Sequence, residues 1–341
     1  MVIIPSLAVE YRPKTFDEVC GENSIIKILK RQIDLKEFKN SYLFCGPSGC
    51  GKTTTARIFA NEINGHVGAP IEIDAASNNG VDNVKTLIKS AQERSINSEY
   101  KIYIIDECHS LTIQAWQAFL KCIEEPPKYT IFIFCTTAPQ QVPATILNRC
   151  MRFNFSRISS KDIENRLNQI CVKEGFQNYK ETTEYISKIC KGQMRDGISY
   201  LEKVASYDNV LSIENALQAL GNFSYSIFFN LINFIIDGNE SQVLSIINQF
   251  YTEGGDLKLF VDQFLTFCLD VMKYSLLHES SILQIPSSLE SQLKNSTNFN
   301  DADKYYSYVI DKLLLLKNEL KQDTNPKSTI EVRFLQITRC V

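Results

Sequence analysis

Glycines, a lysine and a threonine at fixed spacing carry the first chemical signal in this chain. The run Gly46, Pro47, Ser48, Gly49, Cys50, Gly51, Lys52, Thr53 fits G-x-x-x-x-G-K-T, and it follows an apolar segment and opens a helical one. Glycines at this spacing let backbone N–H groups turn inward around phosphate oxygens, and a helix start adds the positive end of its dipole. Lys52 is expected to reach the β- and γ-phosphates of a nucleoside triphosphate, Thr53 to give its hydroxyl to Mg²⁺, and Thr54 to complete the phosphate-binding set.

A second signal lies at Ile102 to His109, where an apolar run ends in Asp106 and Glu107. Ligands bind at the carboxyl edge of open α/β sheets, so adjacent acids there suit two tasks. Asp106 is expected to hold the Mg²⁺ shell, and Glu107 to orient and deprotonate an attacking water. An isolated acidic pair at a strand end is usually just solvated, and the phosphate loop upstream is what favours the catalytic reading here. His109 is assigned a structural role.

These residues need a scaffold, and the spacing of apolar runs predicts one. Between Ser41 and Phe155 short β-rich runs alternate with longer amphipathic segments, the signature of a parallel sheet covered by helices. Strands are expected at SYLFC from Ser41, IEID from Ile71, KIYIID from Lys101, TIFIFC from Thr130 and MRFNF from Met151, each read as buried on both faces. Beyond Ser159 helical periodicity takes over, with segments starting near Ser160, Glu181, Arg195 and Ser212. From about Ser224 a further helical region runs to Val341, and its Ser/Asn-rich stretch from Ser280 to Asn300 reads as a connection rather than core.

Composition narrows the classes. A chain of 341 residues with 44% hydrophobic residues can bury more than one core. No run approaches the roughly 20 apolar residues that span a bilayer, so a soluble, intracellular protein without a membrane partner is expected. The net charge of −3 excludes general attraction of the monomer to nucleic acid, and leaves DNA binding to a local or assembled basic surface. The eleven cysteines, Cys340 among them, form no C-x-x-C pair, which predicts free buried thiols and no zinc.

Further segments resemble a known family. YRPKTFDEVCGE, from Tyr11 to Glu22, resembles the N-terminal segment that wraps the adenine in clamp-loader ATPases of the AAA+ class. EIDAASNNGVD, from Glu72 to Asp82, and LKCIEEPP, from Leu120 to Pro127, resemble the gamma/tau subunits of bacterial DNA polymerase III in particular. The resemblance implies an α/β AAA+ core at 1–158, a small helical lid domain at 159–222 and a helical collar for oligomerisation at 223–341. It implies a subunit that uses ATP and Mg²⁺ to open a sliding clamp and load it on primer-template DNA, within a pentameric ring of clamp-loader subunits. The expected location is cytoplasmic, with the nucleoid-associated replication machinery.

The same resemblance assigns residues. Tyr11, Arg12, Pro13 and Val19 would contact the base. Arg149, in LNRC where the family has Ser-Arg-Cys, would be the arginine finger that reaches a neighbour's ATP; Asn148 replaces the usual serine. Thr137 in CTTAP would be the polar sensor, and Arg195 in GQMRDGISY the second sensor that reads the γ-phosphate in its own subunit. A guanidinium fork with fixed charge suits a transferring phosphoryl group. Asn79 and Lys85 stand either for phosphate-backbone contacts or for a solvated helix start.

Two departures from the family stand out. Only Gly65 to Pro70 separates Asn64 from Ile71, where the bacterial proteins commonly carry a cysteine-rich zinc module. The long tail of the tau form is also expected to be missing, and a viral or otherwise streamlined subunit fits both differences. A hexameric AAA+ helicase such as a branch-migration motor would share the nucleotide motifs, but the EEPP segment and the helical last region speak against it. A non-hydrolysing structural subunit would tend to lose Lys52 or the acidic pair.

Overall fold

The computed structural model describes residues 6–252, 254–280, 282–299 and 301–339. Cys340 lies outside the described residues. The chain forms two compact units, the first of Met1–Ile170 with Cys190–Glu202, the second of Cys171–Ile189 with Lys203–Val341. The segment 159–222 is thus shared between the two.

The first unit is built on a five-stranded parallel sheet of order β2-β3-β4-β1-β5. Its strands are β1 (Ser41–Cys45), β2 (Ile71–Asp74), β3 (Lys101–Asp106), β4 (Thr130–Thr136) and β5 (Met151–Asn154). The helices are α1 (Leu7–Glu10), α2 (Asn23–Leu35), α3 (Lys52–Ile63), α4 (Val81–Ala91), α5 (Ile113–Glu124), α6 (Ala144–Leu147) and the first parts of α7 (Ser160–Glu174) and α9 (Met194–Tyr207). All five expected strands form.

Side-chain alternation along the strands makes two cores, one on each face of the sheet. Tyr42, Phe44, Ile102, Ile104, Ile131 and Ile133 pack with Leu29 of α2 and Phe59 of α3. Their neighbours Leu43, Tyr103, Ile105, Phe132 and Phe134 pack on the other face with Val84 of α4 and Phe119 of α5. Successive residues therefore serve opposite layers, which is why β1 and β4 read as unbroken apolar runs. The expectation of double burial fails at β2 and β5, which are largely exposed. They are the edge strands of the order, and an edge strand has a neighbour on one side only.

The second unit is helical. It contains α8 (Lys180–Ile189), the end of α9 (Met194–Tyr207), α10 (Ile213–Leu220), α11 (Tyr225–Ile236), α12 (Glu240–Thr252), α13 (Leu257–Leu277), α14 (Glu290–Thr297), α15 (Ala302–Glu319) and α16 (Pro326–Arg339). Its core is aromatic: Phe228, Phe260, Phe264, Phe267 and Phe334 are buried together. Asp256 caps α13 by accepting from the backbone N–H groups of Lys258 and Leu259.

The stretch from Ser280 to Asn300 is not a mere connection. Leu283, Ile285 and Leu293 are fully buried, and part of the stretch is α14. The buried Asp270 of α13 accepts from the N–H of Gln284 at 2.6 Å and of Ile285 at 3.3 Å, and pairs with Lys273. A carboxylate inside the fold satisfies two backbone donors there, a tie that composition could not reveal. No single helix among the described residues is long and apolar enough to cross a membrane.

Candidate active site

The loop after β1 turns sharply into α3, and glycine is needed at two of its positions for lack of room. A Cβ on Gly46 would lie 2.5 Å from the Phe155 carbonyl oxygen. Gly49 adopts φ +68°, and a Cβ there would stand 2.9 Å from the Gln193 Cβ. The Gly49 carbonyl accepts from the N–H of Met194 at 3.0 Å, which ties the loop to the start of α9, the helix that carries Arg195. Both contacts lie within the first unit.

The loop, the sheet edge and α9 line one cavity of about 310 Å³. Ser48, Gly49, Cys50, Gly51, Lys52, Thr53 and Thr54 line it, as do Asp106, Glu107 and Arg195. Tyr11, Arg12, Pro13 and Val19 line the same cavity, near the apolar side chains of Ile158 and Ile198. Residues from separate stretches of sequence therefore converge on one space. Gly46 and Pro47 contribute through their carbonyls, which accept from Lys52 Nζ at 2.9 and 2.7 Å. Lys52 is buried, and its ammonium is held at the loop.

At the sheet edge Thr53 Oγ1 donates to Asp106 Oδ2 at 2.8 Å. A hydroxyl and a carboxylate placed together form an oxygen donor set of the kind Mg²⁺ takes, so these residues fit that ion. Asp106 Oδ1 accepts from the Glu107 N–H at 3.0 Å. Glu107 itself stands at φ +46°, a left-handed conformation that costs a non-glycine residue about 1 kcal/mol. That turn breaks the strand alternation and sends the two neighbouring carboxylates to different partners. Glu107 Oε2 accepts from Thr137 Oγ1 at 3.1 Å.

His109, given no catalytic role from sequence, reaches the same carboxylate. Its Nδ1 lies 3.3 Å from Glu107 Oε2 and 3.1 Å from Thr136 Oγ1. A short 3-10 turn, Cys108–Ser110, brings it back over the strand end. Thiols lie hidden around the site: burial pushes Cys108 and Cys135 well up, and burial raises Cys50 against the opposing pull of Lys52.

Arg166 was missed altogether. It lines the cavity from α7, and its Nη2 donates to the Tyr11 carbonyl at 3.1 Å, fixing the segment that carries Arg12 and Pro13. The only available signal was its place three residues after Ile163 and four before Ile170, beside a buried stripe. Arg149 lies outside the cavity lining. Its Nη2 pairs with Glu124 at 2.7 Å and its Nη1 donates to the Thr145 carbonyl at 2.8 Å. Asn79 accepts from the Thr112 N–H through its carbonyl, and Lys85 is an exposed side chain 4.0 Å from Asp82.

Comparison with known proteins places this geometry. Residues 70–159 match the family model of the DNA polymerase III delta subunit, and residues 211–339 that of domain III of DNA polymerase III subunits gamma and tau. The DNA polymerase III subunit tau of Bacillus subtilis is 33% identical over 96% of this chain. The chain belongs to the DNA polymerase III gamma/tau family. The gamma/tau subunit of Mycoplasma genitalium is 30% identical over 88% of the chain. The gamma subunit of Buchnera aphidicola is 28% identical over 97% of the chain and 97% of its own length. The chain spans 62% of the Bacillus relative and 53% of the Mycoplasma one.

The chain also shares its fold with a solved motor protein. The Thermotoga maritima RuvB Holliday junction branch migration motor superposes with a TM-score of 0.53 at 19% identity, covering 66% of this chain and 79% of that one. The likeness is one of fold, the AAA+ arrangement of a parallel sheet with flanking helices.

Proposed function

We propose that this chain is an ATP-hydrolysing subunit of a clamp loader, which opens a sliding clamp and closes it around primer-template DNA. The observation that carries this reading is the convergence of Lys52, the Thr53–Asp106 pair, Glu107 and Arg195 on one cavity in a gamma/tau chain. A branch-migration motor shares the fold, but the gamma/tau domain III match over 211–339 favours the loader.

In this reading the loop N–H groups and Lys52 bind the phosphates, and Tyr11, Arg12, Pro13 and Val19 receive the base. Thr53 and Asp106 would hold Mg²⁺, which neutralises phosphate charge when bound. Glu107 orients a water and takes its proton, while Thr137 and His109 fix the direction of its carboxylate. Arg195 senses the γ-phosphate in its own subunit. Arg149 supplies its charge to a neighbouring subunit's ATP, so hydrolysis depends on assembly.

The partners proposed are other clamp-loader subunits in a pentameric ring, the clamp, and primed DNA. Asn79 and Lys85 are proposed for the DNA-facing surface, and the protein is proposed to work in the cytoplasm without zinc. Residues 1–158, 159–222 and 223–341 are proposed as nucleotide-binding, lid and collar domains. The test is transfer of a labelled clamp onto primed circular DNA by the reconstituted complex. ATP-dependent transfer supports the reading, and a complex that hydrolyses ATP without transferring clamp contradicts it.

A further inference from the structure

The clearest unused relationship lies at Arg149. Both terminal nitrogens of its guanidinium are engaged within its own chain, Nη1 with the Thr145 carbonyl and Nη2 with the Glu124 carboxylate at 2.7 Å. Glu124 is the last residue of α5, and a carboxylate at a helix C-terminus gains nothing from the dipole. Its available favourable partner is a cation. Arg149 comes just after α6 and just before β5, so the pair bridges two segments 25 positions apart.

An arginine finger works by bringing net positive charge to developing negative charge on phosphate oxygens. Paired with Glu124, Arg149 presents a nearly neutral couple. We propose that Glu124 is the positioning residue of the finger: it holds Arg149 in a charge-neutralised pose and gives it up when the neighbour's nucleotide is in place. This rests on the reading of Arg149 as a finger. The side chains are 40% and 46% exposed, and an exposed pair of this kind shifts an equilibrium by at most about fivefold. A finger contributes about 10³ to 10⁵ in the best-studied cases. The hold is therefore weak enough to be overcome, yet large enough to measure.

The experiment is steady-state ATPase of the reconstituted complex, with and without primed DNA, for Glu124→Gln, Glu124→Asp, Arg149→Ala and the Glu124→Gln/Arg149→Ala double variant. Glutamine keeps shape and an acceptor oxygen but removes charge. The expected result is a rise of about two- to fivefold in the DNA-free rate for Glu124→Gln, with the DNA-stimulated rate unchanged. Glu124→Asp, which keeps the charge, stays near the parent, and the double variant matches Arg149→Ala. An unchanged DNA-free rate, a rise that persists without Arg149, or a fall in the stimulated rate overturns the role of Glu124. Parental stimulated activity in Arg149→Ala alone overturns the finger reading beneath it, so the two failures are distinguishable.

Discussion

Thr53 Oγ1 and Asp106 Oδ2 stand 2.8 Å apart, joined by a hydrogen bond between the first turn of α3 and the end of β3. The bond sets two oxygens from distant parts of the chain at the spacing one small cation requires. Asp106→Asn keeps the volume and removes the charge. The expected outcome is at least about a tenfold higher Mg²⁺ requirement for ATP turnover, since a hard cation loses its charged ligand. A magnesium titration of ATPase activity checks this, and an unchanged midpoint removes Asp106 from the ion's shell.

Lys52 and Glu107 line one cavity but are expected to fail differently. Lys52→Ala should abolish nucleotide binding, because its ammonium is the one held against the loop by the carbonyls of Gly46 and Pro47. Glu107→Gln should bind nucleotide as the parent does and stop hydrolysis. Equilibrium binding of a fluorescent ATP analogue, set beside turnover, separates the two. Equal turnover by Glu107→Gln and the parent would take Glu107 out of its role.

Thr137 and His109 both reach Glu107 Oε2, at 3.1 and 3.3 Å. If they hold that carboxylate toward a water, Thr137→Ala and His109→Ala should each lower kcat by about tenfold, a part of the 10² to 10⁴ of a positioned base, and leave KM nearly unchanged. A rise in KM at constant kcat would show that they serve binding instead.

The phosphate loop and the acidic pair were legible because each is a local pattern with a fixed spacing, and the strand-to-helix context could be read from the same residues. All five strands were legible for a similar reason: β-rich runs such as SYLFC and TIFIFC alternate with helical ones. Exposure of β2 and β5 was not, since strand order decides which strands lie at an edge and no local pattern encodes it. The contact of His109 with Glu107 and the place of Arg166 in the cavity were not legible, because they depend on where a 3-10 turn and a helix bring single polar groups. The Asp270 tie to Gln284 and Ile285 is of the same kind, a long-range satisfaction of backbone donors in a stretch whose Ser/Asn content reads as loop.

Cys20 offers a chemical probe of the end of the cavity proposed to receive the base, which it lines while remaining partly exposed. Burial raises its thiol, with Arg166 pulling the other way, so alkylation should be slow near neutral pH and faster as pH rises. Bound ATP should protect Cys20 by at least about fivefold, as a bound ligand that covers a thiol competes with the reagent. Peptide mapping after timed iodoacetamide treatment measures both. Equal labelling with and without ATP would place the base elsewhere.

Arg149 lies outside the cavity of its own chain, and that separation is what a finger acting on a neighbour requires. The most direct measurement is ATPase of the reconstituted complex carrying Arg149→Ala, with and without primed DNA, beside nucleotide affinity of the isolated subunit. The account predicts unchanged affinity in the isolated subunit and a fall of about 10² or more in the DNA-stimulated rate of the complex, a threshold set below the 10³ to 10⁵ of the best-studied trans fingers because several sites contribute. Full DNA-stimulated activity in the variant would contradict it.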